Sequence, residues 1–206
     1  KSAGMAWVGV RNSNHAGAGG VYASFALKHD LIGIYMAVGS ANHMPPWGGT
    51  DFLLSTNPLA IAIPAGSEPP FLFDMATTAA SYGKIKVAAE RGESIPVGWL
   101  EDKTGNPITD PKRSNEGFLM PIGEYKGYGL SLAIGILAGV INGAAFGSDV
   151  VNFNADYKTK TNTGHSILMV NPALFGEVDT FKNSMDQKIL EMKGSKPMEG
   201  RGPVRI

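Results

Sequence analysis

The chain has 206 residues, 43% of them hydrophobic, with 18 basic and 18 acidic side chains and a formal net charge of zero. That length and apolar content support a sizeable core, and the charge balance removes the electrostatic reason to expect nucleic acid or an anionic membrane surface as a partner. The absence of cysteine rules out disulfides, thiolate chemistry and cysteine-held zinc, and it fits a cytoplasmic protein.

In chain order, the run Trp7-Val8-Gly9-Val10 reads as a strand and leads into the polar, glycine-rich segment 11–20. Ala18, Val21, Tyr22, Phe25 and Ala26 then fall at helical spacing, which predicts a helix from Ala18 to near Asp30. His15 therefore stands at a strand-to-helix corner, beside a first turn whose unpaired N–H groups suit an anion. A histidine there is placed to exchange a proton with a carboxylate-bearing substrate. The plainer alternative is that Asn12, Ser13 and Asn14 cap the turn and His15 only bonds the backbone.

Residues 31–38 form a nearly continuous apolar run and predict a strand covered on both faces. Residues 39–58, with Pro45, Pro46, Trp47, Gly48 and Gly49, make a long connection of the kind that often carries function. Strands follow at 59–63 and 70–73, then the strand-end segment Asp74-Met75-Ala76-Thr77-Thr78 and a helix over 79–90 with Gly92 as its stop. Residues 93–124 show little periodicity and read as a meandering surface segment. Residues 127–148 carry no charge and place glycine at 135, 139, 143 and 147. That pattern predicts a central soluble helix buried on all sides, not a membrane span. A strand over 165–170 and an amphipathic helix with the stripe Val178, Phe181, Met185, Ile189 and Met192 complete the chain.

Standard nucleotide motifs fail on inspection. Tyr22 stands where the last glycine of G-x-G-x-x-G belongs, and neither Gly83-Lys84 nor Gly127-Tyr128-Gly129 completes a known phosphate loop. Lys126, just before a helix start, opposes the helix dipole unless an anion sits there; a bound phosphate or carboxylate and a surface Asp or Glu are equally good partners. His165 either enters the same pocket or is a satisfied core residue. His15, His29, His43 and His165 are scattered with no i, i+4 pair, so no metal site is expected.

Taken in order, the segments Ser13-Asn14-His15, Pro46-Trp47-Gly48-Gly49, Thr56-Asn57-Pro58, Asp74-Met75-Ala76-Thr77, Gly98-Trp99, Tyr125-Lys126-Gly127-Tyr128-Gly129, Gly143-Ala144-Ala145-Phe146-Gly147, Gly164-His165 and Asn171-Pro172 resemble the malate/L-lactate dehydrogenase family over nearly the whole chain. The resemblance implies an α/β, non-Rossmann nicotinamide-binding fold with a mixed sheet and flanking helices, using NAD or NADP on small 2-oxo and 2-hydroxy acids. By the same resemblance His15 is the catalytic histidine. Ser40, Asp74, Met75, Ala76, Thr77, Lys126 and Gly127 contact the cofactor, and His165 contacts the substrate. Ala16 departs from the phenylalanine usual after the histidine, which alters the wall of the substrate pocket. Family members also carry an N-terminal helical region with a Ser-His-Gly motif, whose histidine is the proposed proton donor in several members and shares or contests that role with His15; it is not seen here, and both ends look cut.

The expectations are thus a NAD(P)-binding catalytic unit over residues 1–206, assembled as a homodimer and acting as a 2-hydroxyacid dehydrogenase. The alternatives are a cyclic-imine reductase and a non-catalytic remnant that folds, dimerises or binds nucleotide. Lys84, Lys86 and Arg91 compete with Glu90 and Glu93 as candidates for setting cofactor choice, most of them being read as a solvated helix face, and the lean is to NAD.

Overall fold

A computed structural model of the chain describes residues 3–206. In chain order its elements are β1 (Met5–Ser13), α1 (Gly19–Ser24), β2 (Ile32–Ala37), β3 (Leu59–Ile63), β4 (Phe71–Met75), α2 (Tyr82–Arg91), β5 (Leu100–Asp102), β6 (Gly117–Leu119), α3 (Tyr125–Ala138), β7 (Thr163–Val170) and α4 (Val178–Lys193). Five strands make the main sheet in the order β1-β7-β2-β3-β4, and β5 pairs with β6 in a small second sheet.

Every neighbouring pair in the main sheet is antiparallel, which corrects the mixed sheet expected from the sequence. β1 and β2 do run the same way on either side of α1. The late strand β7 inserts between them and pairs with both, so no parallel ladder forms.

The sheet separates two apolar layers because β2 alternates its side chains. Tyr35 and Ala37 pack with Ala23, Ala60 and Ala62 under α1, while Met36 and Val38 pack with Ile134 and Ala138 of α3 on the other face. Gly33 lets α1 approach closely, since a Cβ there would meet the Ala23 carbonyl at 2.1 Å. The expected helix over 18–29 is divided: α1 is only six residues long, and a 3-10 turn over Phe25–His29 ends at Asp30 in the left-handed region.

Two further expectations change. Residues 93–124 are not a surface meander, because Ile95, Leu100, Ile108 and Leu119 bury with Ile85 and Ala88 of α2 in a third core. The uncharged stretch is not one helix buried on all sides. α3 stops at Ala138, and of the four glycines only Gly135 lies inside it. Gly143 and Gly147 have positive φ and turn the chain back, so that Phe146 packs where a Cβ on Gly135 would sit. The outer side of this segment stays exposed at Leu130, Ile136, Val140 and Ile141.

The apolar stripe of α4 holds through Ile189, which is buried, and ends before Met192, which is exposed. Among the described residues no helix is long and apolar enough to cross a membrane, and no cluster of three metal-ligating side chains occurs.

Candidate active site

The antiparallel order brings the end of β1, the end of β2 and the start of β7 to one edge of the sheet, where Ala37 pairs with His165. A cavity of about 270 Å³ opens there. His15, Ser40 and His165 all line it, joined by Tyr35, His43, Tyr82, Lys86 and Phe153. No carboxylate lines this cavity, and among the described residues Lys86 is the one lysine or arginine in its lining.

His15 is held by its own turn. Asn14 Oδ1 accepts from the His15 backbone N–H at 2.7 Å, and the Gly17 N–H donates to His15 Nδ1 at 3.1 Å. Its ring lies tilted against Phe153 at 5.8 Å. With Nδ1 accepting, the neutral ring carries its proton on Nε2. The ring is exposed, as proton exchange with a ligand requires.

The anion expected at the helix start beside His15 turns out to be internal. Asp74 at the end of β4 accepts from the Gly20 N–H at 2.7 Å, so the protein's own carboxylate meets the first turn of α1. Thr77 is fully buried and donates from both its N–H and its hydroxyl to the Thr56 carbonyl, each at 2.9 Å. Thr56 lines the cavity, so the segment Asp74, Met75, Ala76 and Thr77 braces the wall from behind and does not face the opening.

Lys126 and Gly127 lie elsewhere, in the first turn of α3. Lys126 is exposed and has no acidic partner among the described residues, so the surface ion pair that sequence allows for it does not form. Gly127 is buried against backbone: a Cβ there would meet the Ile122 carbonyl at 2.0 Å. Asn57 ties this helix to the cavity, accepting from the Gly39 N–H at 3.1 Å and donating to the Ser131 carbonyl at 2.9 Å. Trp47 packs edge-on to Tyr125 and does not line the cavity that holds His15 and His165.

His165 is 5% exposed, and its Nδ1 lies 2.7 Å from the Tyr35 hydroxyl. Burial lowers its pKa, and the nearby His15 adds to this, against the opposing Asn14 carbonyl. Burial also pushes the Tyr35 phenol well above its ordinary value, so it stays protonated. At the other end of the cavity His43 stacks on Tyr82 at 4.4 Å, and Lys86 sits 5.3 Å from the same ring. Burial, reinforced by Lys86, lowers the His43 pKa to about 4.

Tyr35, His43 and Tyr82 are site residues that sequence reasoning missed, and Lys86, read there only as a candidate for cofactor choice on a solvated helix face, lines the cavity. Tyr35 alone left a signal: a hydroxyl inside an otherwise apolar strand must find a partner.

Comparisons with known proteins place this geometry in context. The family model described as malate/L-lactate dehydrogenase matches residues 1–206. A malate/(S)-sulfolactate dehydrogenase from Methanothermus fervidus is 38% identical over 95% of this chain and 57% of its own length. A ureidoglycolate dehydrogenase (NAD(+)) from Escherichia coli O157:H7 is 36% identical over 98% of this chain and 57% of its own length. The structure of sulfolactate dehydrogenase from Methanocaldococcus jannaschii superposes with a TM-score of 0.86 at 36% identity, covering 98% of this chain and 58% of that one. The names of some relatives specify NAD(+) and of others NADP(+). The chain thus spans less than two thirds of the length of these relatives.

Proposed function

Because the chain belongs to the malate/L-lactate dehydrogenase family, we propose that its protein transfers a hydride between NAD or NADP and a small 2-oxo or 2-hydroxy acid. The observation that carries this is the convergence of two imidazoles, an exposed His15 and a buried His165, on a cavity lined by no carboxylate. An anionic acid meets no like charge there, and Lys86 attracts it.

The cavity also suits a nicotinamide. Ala37, Val38 and Pro58 give apolar wall for a flat ring, and Ser40 lines the same cavity. Its volume holds the reacting ring and a small acid but not a whole dinucleotide. The phosphates would lie outside it, where the unpaired Lys126 is available, with Asp74, Met75, Ala76 and Thr77 supporting the cofactor site from behind its wall and Gly127 letting α3 start close to Ile122. The nicotinamide supplies or accepts the hydride when bound.

The chain's own residues supply the proton. In reduction the His15 imidazolium protonates the carbonyl oxygen from Nε2 as charge develops there and is left neutral with its hydrogen on Nδ1; in oxidation that same neutral ring takes the hydroxyl proton on Nε2. A charged ring also carries hydrogen on Nδ1, which the Gly17 N–H opposes. The turn must therefore open for proton transfer, and Gly17 has open space around it. His165, kept neutral by burial, orients the acid.

The exposed apolar side chains of α3 support a homodimer or packing by further chain, and we take the homodimer as the working state. The test is NAD(P)H oxidation by the intact protein against a panel of lactate, malate and sulfolactate oxo-acids and a cyclic 2-imino acid. Turnover of an oxo acid is expected. Turnover of the imine alone shifts the assignment to imine reduction, and no binding of either reduced cofactor removes it. A tenfold preference for NADPH, about 1.4 kcal/mol, overturns the lean to NAD.

A further inference from the structure

Tyr35 lies in the middle of β2, 2% exposed, stacked between Tyr22 at 4.9 Å and His165 at 5.7 Å. Ala16 packs against the same cluster, and the Tyr22 hydroxyl donates to the Ala16 carbonyl at 3.0 Å. The two tyrosines thus fill the ground beside the histidine turn, next to the small residue at position 16.

The Tyr35 hydroxyl has one partner among the described residues, His165 Nδ1 at 2.7 Å. A buried phenol that stays protonated must place its hydrogen on an acceptor, and this nitrogen is the acceptor present. If Nδ1 accepts, the neutral ring carries its hydrogen on Nε2. Nε2 is buried and has no hydrogen-bond partner, although the Asn14 carbonyl is near enough to act on the ring. A buried N–H left unmade is costly, so this nitrogen favours an acceptor that reaches the wall of the cavity.

We propose that Tyr35 is a positioning residue, its hydroxyl locking His165 as a neutral Nε2–H donor for an oxygen of the bound 2-oxo acid. The proposal rests on the dehydrogenase reading for the identity of the ligand but not for the tautomer. Asn14 and His15, the other groups acting on the ring, belong to the exposed turn, so an entering oxygen displaces a turn and not the core. A carboxylate oxygen is the stronger acceptor for such a donor.

The experiment uses intact protein labelled with 15N-histidine, with His165→Gln to assign the resonance. The long-range 1H–15N spectrum is expected to show His165 as the Nε2–H tautomer, and an Nδ1–H tautomer overturns the proposal. Adding oxamate, an unreactive isostere of a small 2-oxo acid, with NADH is expected to shift the Nε2–H signal; no shift overturns the ligand assignment. Tyr35→Phe is expected to mix the tautomers and weaken oxamate about tenfold, with NADH affinity within about twofold and Tm held. Unchanged tautomer and oxamate affinity in a folded Tyr35→Phe overturns it. Failure of NADH to bind the wild-type protein counts against the dehydrogenase reading instead, and the tautomer then stands or falls on the spectrum alone.

Discussion

The backbone N–H of Gly17 donates to Nδ1 of His15 at 3.1 Å, a contact within one turn that decides which nitrogen of the ring is left for chemistry. Nε2 is that nitrogen, and the ring it belongs to is exposed at the rim of the cavity.

Replacing His15 by Gln should therefore lower kcat/KM by about 10²–10⁴, the usual contribution of a general acid or base. The Tm should stay near wild type, because the side chain buries little surface. Steady-state kinetics on the intact protein checks this; a loss of only a few-fold assigns the proton to another group.

Lys126 and Gly127, adjacent in sequence, should fail in different ways. Lys126→Met should weaken NADH or NADPH about tenfold or more, the scale of a lost charge-assisted hydrogen bond, at unchanged Tm. Gly127→Ala drives a Cβ into the Ile122 carbonyl at 2.0 Å and should cost about 1–3 kcal/mol of stability. Cofactor titration beside thermal melts separates the two.

His43 makes stability depend on pH. Its pKa falls from 6.5 to about 4 on folding, burial being the main cause, so the unfolded chain takes up a proton that the folded one refuses. The stability from this group is whole above pH 6.5 and is lost as pH falls towards 4, by on the order of 3 kcal/mol across the window. Denaturant unfolding across that range should show the loss, and His43→Phe, which keeps a ring against Tyr82, should flatten it.

Asp186 fastens α4 to the turn between β3 and β4. Its carboxylate accepts from the N–H groups of Gly66, Ser67 and Glu68 and from the Ser67 hydroxyl, at 2.7–3.1 Å. The Ser67 N–H is the largest cause holding its pKa to about 2, below the ordinary 3.8. The contribution is present above pH 3.8 and is lost as pH falls through about 2. Asp186→Ala should lower Tm by a few degrees with kcat unchanged, measured by calorimetry and assay together.

Light scattering should give a dimer mass for the intact protein. The uncharged segment leaves Ile136 44% and Ile141 65% exposed, and side chains of that kind normally find cover. A clean monomer mass contradicts this assembly.

What the sequence determined by itself was local. The doubly covered strand β2, the span Leu59–Ile63, the left-handed stop at Gly92 and the apolar stripe of α4 as far as Ile189 follow from each segment's own apolar pattern and turn residues. The histidine turn was legible for the same reason, since Asn14, His15 and Gly17 bond among themselves. Tertiary structure decided the rest. Periodicity says which face of a strand is apolar but not which strand pairs with it, so the insertion of β7 between β1 and β2 was hidden, and with it the antiparallel sheet. Glycines spaced by four look alike in a helix and in a returning loop until Phe146 packs on Gly135. That the Asp74 carboxylate meets Gly20 of α1, more than fifty positions earlier, is likewise decided only by the fold. The pairing of Tyr35 with His165 spans 130 positions and exists only because two distant strands lie side by side.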